Sequence, residues 1–239
     1  MLVLHYTGMK TGRAALERMC DPVAEVSAHY MVEVDGDIFQ LVDEDKRAWH
    51  AGVASWEGQS DINSRSIGIE IVNGGHNEPL EDGTLPLFPE VQIDAVIELS
   101  QAIIERHGIT PDRIVGHSDI APGRKQDPGE HFPWSTLAEK GIGLYPVVSG
   151  SHKTSLQLMG HGLAVGAVGE AVERLREALR DIGYNAGNGE TYDRDLADIV
   201  EAFQRHWVPD QVTGAADLRT LQMIAAVERA FKTVRNNRR

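Results

Sequence analysis

Residues 114–134 read IVGHSDIAPGRKQDPGEHFPW. The β-branched pair Ile114-Val115 predicts a short buried strand, and the chain leaves it at Gly116 into a segment crowded with Gly and Pro. His117, Arg124, Lys125 and Asp127 all fall on that exit. Strand ends and rigid loops are where α/β folds collect functional groups. Upstream, the run from Pro89 to His107 predicts a helix. Its Ile93, Val96, Ile97, Ile103 and Ile104 recur at helical spacing, Pro89 suits the first turn and Gly108 the stop. Residues 74–88 are rich in Gly and Pro and read as a surface loop, and residues 67–72, IGIEIV, as an apolar strand. Asp35-Gly36-Asp37, between strands expected over 28–34 and 38–42, is a hairpin signature. A short helix is expected from Ala14 to Cys20, and residues 1–6, MLVLHY, read as a buried strand. Strands alternating with helices predict an α/β layer architecture.

The composition changes near residue 145. Residues 146–167 carry many Gly, Ser and His residues without a clear period and read as a linker. Three helices are expected beyond it, over 168–182, 194–207 and 216–231. Their apolar sets are Val172/Leu175/Leu179, Leu196/Ile199/Phe203 and Leu218/Leu221/Ile224. The division is therefore 1–145, a linker, and a small three-helix domain over 168–233, a size that can fold alone.

The chain has 239 residues and a formal net charge of −13. Such a charge repels nucleic acid and anionic membrane at long range. No stretch approaches the roughly 20 apolar residues of a membrane span. Met1 runs straight into Leu2-Val3-Leu4, with no basic start and no cleavage site, so no export signal is visible and a cytoplasmic location is expected, action in the cell envelope remaining open. The lone cysteine, Cys20, excludes an internal disulfide and a cysteine-cluster zinc site, and its helix predicts that it is buried.

His5 ends the first strand, His117 ends the strand at 114–115, and Asp127 follows ten residues later. Two imidazoles and one carboxylate make a three-ligand zinc site with an open fourth position, the catalytic pattern. Such a metal lowers the pKa of bound water to about 7 and polarises a carbonyl. Each histidine taken singly also fits a hydrogen-bonded structural role, so the residues alone leave both readings open. Glu70 interrupts Ile67, Ile69 and Ile71, and alternation puts it on the opposite face of that strand. Facing a metal cleft, it can take a proton from water and return it to a leaving nitrogen; facing solvent, it does nothing. Lys125 can hold an oxyanion and Arg124 a substrate carboxylate, or the Lys-x-Asp pair is a surface feature.

The segments LHYTG (4–8), VSAHY (26–30), RAWHAGV (47–53), SIGIEIVNGG (66–75) and GHSDIAPGRKQDPG (116–129), in this order, resemble the type-2, zinc-dependent N-acetylmuramoyl-L-alanine amidases, a family that includes phage lysozymes and peptidoglycan recognition proteins. The resemblance implies a mixed central β-sheet flanked by helices. It also implies one zinc ion held by His5, His117 and Asp127, with Glu70 as catalytic carboxylate and Lys125 at the oxyanion. The implied reaction is hydrolysis of the amide between N-acetylmuramic (or anhydro-N-acetylmuramic) acid and L-alanine in peptidoglycan or muropeptides. There are departures. Ala28 stands where phage members carry a catalytic tyrosine, and Asp127 where they and recognition proteins carry a cysteine. Glu25 and Asp61 fall near two positions that are arginine in some recyclers of anhydro-muropeptides, so a preference for the anhydro sugar does not carry over. His50 is expected to contact substrate, Trp49 to be core or a sugar platform, and His29 to be buried. His76, His107, His131, His152, His161 and His206 are expected at the surface or in the linker.

The C-terminal helices resemble a peptidoglycan-binding domain through Gly183-Tyr184, Tyr192-Asp193, Ala202-Phe203-Gln204, Thr213-Gly214 and Thr220-Leu221. One rival is a non-catalytic recognition protein of the same fold, which would typically lack a ligand; here all three ligand positions are filled. Another is a zinc peptidase acting within the stem peptide.

Overall fold

The computed structural model describes residues 1–148 and 162–237. His152, His161 and most of the expected linker lie outside the described residues. The strands are β1 (Leu2–Tyr6), β2 (Tyr30–Val32), β3 (Ile38–Gln40), β4 (Ile67–Ile71) and β5 (Ile114–Gly116). They form one sheet in the order β3-β2-β4-β1-β5. β1 runs parallel to β4 and β5, β2 runs parallel to β4, and β3 alone is antiparallel, so the sheet is mixed as expected. The helices are α1 (Gly12–Cys20), α2 (Glu90–His107), α3 (His117–Ile120), α4 (Trp134–Glu139), α5 (Glu170–Ile182), α6 (Arg194–Trp207) and α7 (Leu218–Asn236). The short helices α3 and α4 were not legible in a segment so rich in Gly and Pro.

Alternation along β1 assigns the two faces of the sheet. Leu2 and Leu4 join Ile67, Ile69 and Ile71 of β4 against Ile93, Val96 and Ile103 of α2. Val3 and His5 point the other way. On that side Val3, Val115, Trp56 and Ile62 share one core with Val172, Leu175, Phe203 and Ile224 of α5, α6 and α7. The C-terminal helices, expected as a small domain of a size that can fold alone, are thus the third layer of the molecule. Their unit starts earlier than 168: Leu163 and Ala216 exchange backbone hydrogen bonds at 2.9 and 2.8 Å, and Tyr192 N–H donates to Ala167 at 2.9 Å. The expected apolar sets are buried except Leu218, which faces solvent from the first turn of α7.

Two polar clusters fasten the third layer. Asp119 accepts from Tyr184 Oη at 2.6 Å, from His206 Nδ1 at 2.7 Å and from Gly116 N–H at 2.8 Å. His206, expected at the surface, is buried between the rings of Trp134 and Trp207, with centroids at 3.8 and 3.6 Å, because this face of α6 turns towards the sheet. Arg235 of α7 pairs with Glu57 at 2.6 Å and with Asp112 at 3.2 Å. Cys20, expected to be buried, is exposed, since α1 buries only Gly12 and Ala15.

Candidate active site

The parallel register sets His5 of β1 beside Glu70 of β4. β5 delivers His117 into α3, and the following loop returns so that Ser118 N–H donates to the Asp127 carbonyl at 2.9 Å. His5 Nδ1, His117 Nδ1 and Asp127 Oδ2 then form a buried triangle with sides of 2.9, 3.0 and 3.0 Å. Among the described residues these three make the one cluster of metal-ligand type.

The protons around this triangle can be assigned from their partners. Ser66 gives its single hydroxyl proton to the Ile62 carbonyl at 2.6 Å, so towards His50 Nε2, at 3.2 Å, it must accept. Burial, reinforced by neighbouring histidines, holds the His50 pKa well below 6.5, so His50 is neutral and its Nδ1 is a bare lone pair. His5 Nε2, 3.0 Å from that lone pair, is therefore the donor. His5 is neutral too, its pKa lowered to about 4 by burial first and by His117 second, which leaves its Nδ1 bare. His117 Nε2 lies 3.0 Å from the Ala51 carbonyl, which can only accept, and the tautomer with its proton on Nε2 turns a lone pair inward at Nδ1. Asp127 is buried, with its Oδ2 turned towards the two imidazoles. Three lone pairs converge with no proton between them. A metal ion bonded at about 2.0–2.1 Å would need ligand atoms about 3.3 Å apart, so small outward shifts complete the fit.

Glu70 stands beside this triangle. Its Oε2 is buried and accepts no hydrogen bond. Burial chiefly, and the charge of Asp127 next, push its pKa well above 4.5, while Lys125 pulls the other way. A carboxyl so placed can both take and return a proton near neutrality. The Lys125 ammonium enters no hydrogen bond or ion pair among the described residues and lines the same cleft.

Two residues expected to contact substrate line the cleft and also have partners within the protein. His50 was expected to touch substrate, but both its ring nitrogens are engaged by His5 and Ser66, so it stands behind a ligand position. Arg124 was expected to offer a free fork, but its Nη2 donates to the Ala51 and Val53 carbonyls at 2.7 Å each, which fastens the strap that also receives His117. Burial lowers the Arg124 pKa. His29 is buried as expected, near the Lys46 carbonyl at 3.1 Å, and Trp49 is half exposed on the cleft rim. Sequence reasoning missed Ser66 and Gly68. A Cβ on Gly68 would lie 2.5 Å from the His50 ring, so this glycine makes the space that ring occupies.

The cleft has a volume of about 790 Å³. Tyr6, Glu70, His117, Lys125 and Asp127 line its interior, and α6 supplies part of its wall with Arg194, Asp198, Glu201 and Arg205. No pattern in the sequence pointed to that charged row.

A mixed sheet with a His-His-Asp triangle of metal-ligand type and a buried glutamate at its strand ends is the arrangement of a hydrolase. The chain belongs to the N-acetylmuramoyl-L-alanine amidase family, whose family model matches residues 1–130, and a peptidoglycan binding domain model matches residues 168–224. The family's reaction is hydrolysis of the amide between N-acetylmuramic acid and L-alanine. The chain is 36% identical to the N-acetylmuramoyl-L-alanine amidase AmiD of Escherichia coli over 236 residues, covering 95% of this chain and 81% of that protein. It is 43% identical to the 1,6-anhydro-N-acetylmuramyl-L-alanine amidase AmpD of Haemophilus influenzae over 110 residues, 46% of this chain and 55% of that one. Among solved structures it resembles AmiD of E. coli in complex with the substrate anhydro-N-acetylmuramic acid-L-Ala-D-γ-Glu-L-Lys. The TM-score is 0.81 at 34% identity, over 96% of this chain and 88% of that one. AmpDh3 of Pseudomonas aeruginosa matches with a TM-score of 0.82 at 34% identity, over 97% and 92%.

Proposed function

We propose that the chain is a zinc amidase acting on peptidoglycan fragments, with one zinc ion held by His5, His117 and Asp127. The observation that carries this reading is the convergence of three proton-free ligand atoms beside a buried, unpartnered Glu70. When bound, zinc supplies Lewis acidity, which acidifies water and polarises the amide carbonyl. Glu70 takes the proton of the attacking water, an uptake that its raised pKa favours. Lys125 donates to the oxygen that becomes anionic as the tetrahedral intermediate forms. Glu70 then returns the proton to the L-alanine nitrogen, and the C–N bond breaks. Arg124 keeps Nε and Nη1 for a substrate carboxylate while its Nη2 holds the strap.

Residues 1–145 act as the catalytic unit, and residues 168–233 as a wall-fragment-binding unit that contributes to the same cleft. The substrate bound by AmiD, an anhydro-muramyl tripeptide, supports muropeptides as the substrate class. No helix among the described residues is long and apolar enough to cross a membrane. The test is mass spectrometry of products after zinc-loaded protein meets intact sacculi and soluble anhydro-muropeptides. Release of intact peptides headed by L-alanine supports the reading, and the faster substrate assigns the role. With zinc bound and neither substrate cleaved, the amidase assignment fails in favour of a recognition protein; cleavage within the stem would mean a peptidase.

A further inference from the structure

Asp119 is a buried carboxylate that the reaction does not use. It is 1% exposed, and both its oxygens are filled. Oδ1 accepts from Tyr184 Oη at 2.6 Å; Oδ2 accepts from His206 Nδ1 at 2.7 Å and from Gly116 N–H at 2.8 Å. Two of these three donors come from the C-terminal unit. Burial first, and the charge of Asp119 next, push the Tyr184 pKa well above 10, so the phenol keeps the proton it donates. His206 is held in plane by the indoles of Trp134 and Trp207 on its two sides. The third donor, Gly116, is the residue before His117. A Cβ on Gly116 would lie 2.8 Å from Pro128, the neighbour of Asp127, and 3.3 Å from Trp134, so the backbone is tightly enclosed there. Ser118 N–H donates to the Asp127 carbonyl at 2.9 Å, so the junction of β5 and α3 carries two ligand positions together. Apolar contact already holds the C-terminal helices to the sheet. A buried ionic group adds little net stability to such a contact. Its hydrogen bonds are directional, however, so what this cluster supplies is register.

We propose that Tyr184 and His206 are positioning residues of the metal centre: through Asp119 they fix the junction of β5 and α3, and with it the placement of His117 and Asp127. The inference rests on the proposed metal site. Ligand atoms must sit within about 0.2 Å of their bonding distances, so a small drift of this junction is felt at the metal. The Ala51 carbonyl sets the rotation of the His117 ring, while Asp119 sets the backbone from which that ring projects. On this account the C-terminal unit completes the metal centre without contributing a ligand. Arg235 provides the contrast. It fastens the same layer through Glu57 at 2.6 Å, Asp112 at 3.2 Å and the Ile182 carbonyl at 2.8 Å, and none of these partners belongs to α3.

The experiment compares full-length variants in two measurements: zinc affinity by chelator competition, and the visible absorption of the cobalt(II)-substituted protein, which follows ligand geometry. Tyr184→Phe removes one oxygen atom. His206→Phe keeps a ring between the two indoles and removes the donor. Each is expected to weaken zinc binding about 10-fold, the lower end for groups that support a ligand from behind, and to change the cobalt band. His206→Asn, which returns an N–H donor to Asp119, is expected to recover part of both. Arg235→Gln is expected to lower the melting temperature and to leave both readouts at their wild-type values. Unchanged zinc affinity and an unchanged band in Tyr184→Phe and His206→Phe, with only a lower melting temperature, overturn the proposal. So does an Arg235→Gln variant that weakens zinc binding as much as they do, because docking in general would then be the cause. Wild-type protein that takes up no zinc removes the metal site together with this inference, whereas zinc-loaded wild type with indifferent variants removes this inference alone.

Discussion

At the residue scale, the ligand triangle depends on a chain of side chains behind it. Ser66 fixes the proton of His50, and His50 fixes that of His5. Groups that set the tautomer of a metal-bound histidine typically change metal affinity 10- to 100-fold when removed. His50→Ala is expected to weaken zinc binding within that range, and Gly68→Ala, whose new methyl would press on the His50 ring, to weaken it by a similar factor. Competition against a chromogenic chelator measures both, and unchanged zinc affinity in His50→Ala would disprove the relay. Glu70 gives a pH-dependent prediction in metal-free protein. Its folded pKa is raised above 4.5, so between the two values the native state holds more protons than the unfolded chain. Stability then falls as pH rises through that window. Glu70→Gln removes this loss, so its stability relative to wild type should be level near pH 4 and higher near pH 8. Urea unfolding at both pH values in a chelator reads the difference; a constant offset would contradict it. The grouping of His5, His117 and Asp127 could be anticipated from the sequence because two histidines and an aspartate at strand exits stand out, and the structure brings them together. Ser66 and Gly68 could not, since their importance lies in a ring that reaches them from another segment.

At the element scale, α6 shows what periodicity can and cannot reveal. Leu196, Ile199 and Phe203 recur at helical spacing and predict the inner face, which is buried as expected. The polar side carries no period that separates solvent from cleft, so its part in the wall emerged only from packing. The start of α6 is fixed by Asp193, which accepts from Leu196 N–H at 2.8 Å and from Arg176 at 2.7 Å. Loss of a helix cap costs about 1 kcal/mol, and loss of a partner to a buried cation about 1–3 kcal/mol more. Asp193→Ala is thus expected to destabilise the protein by about 2–4 kcal/mol in equilibrium unfolding. A change below about 0.5 kcal/mol would show that neither bond matters.

At the scale of the whole molecule, the change of composition near residue 145 marks a boundary in the sequence but not in the core. Val3, Val115, Trp56 and Ile62 of the first segment are almost fully buried, and they lie in one cluster with the C-terminal helices. A sequence pattern identifies an apolar face without naming what covers it, which is why the shared core could not be read from the three helical periods. Fully burying one large apolar side chain contributes roughly 1.5–3 kcal/mol. Uncovering several such side chains therefore removes an amount comparable with the 5–15 kcal/mol by which a domain is typically stable. Truncation also strips Asp119 of Tyr184 and His206, leaving a buried carboxylate short of two donors just after His117. A chain ending at residue 148 keeps every ligand position and Glu70, yet it is expected to aggregate or bind a hydrophobic dye, to lose its cooperative melt and to lack activity. The full-length protein is expected to unfold in one calorimetric transition. A 1–148 fragment that melts within a few degrees of full-length protein and retains its turnover would establish that the shared core contributes little, and would return the C-terminal helices to the role of a detachable module.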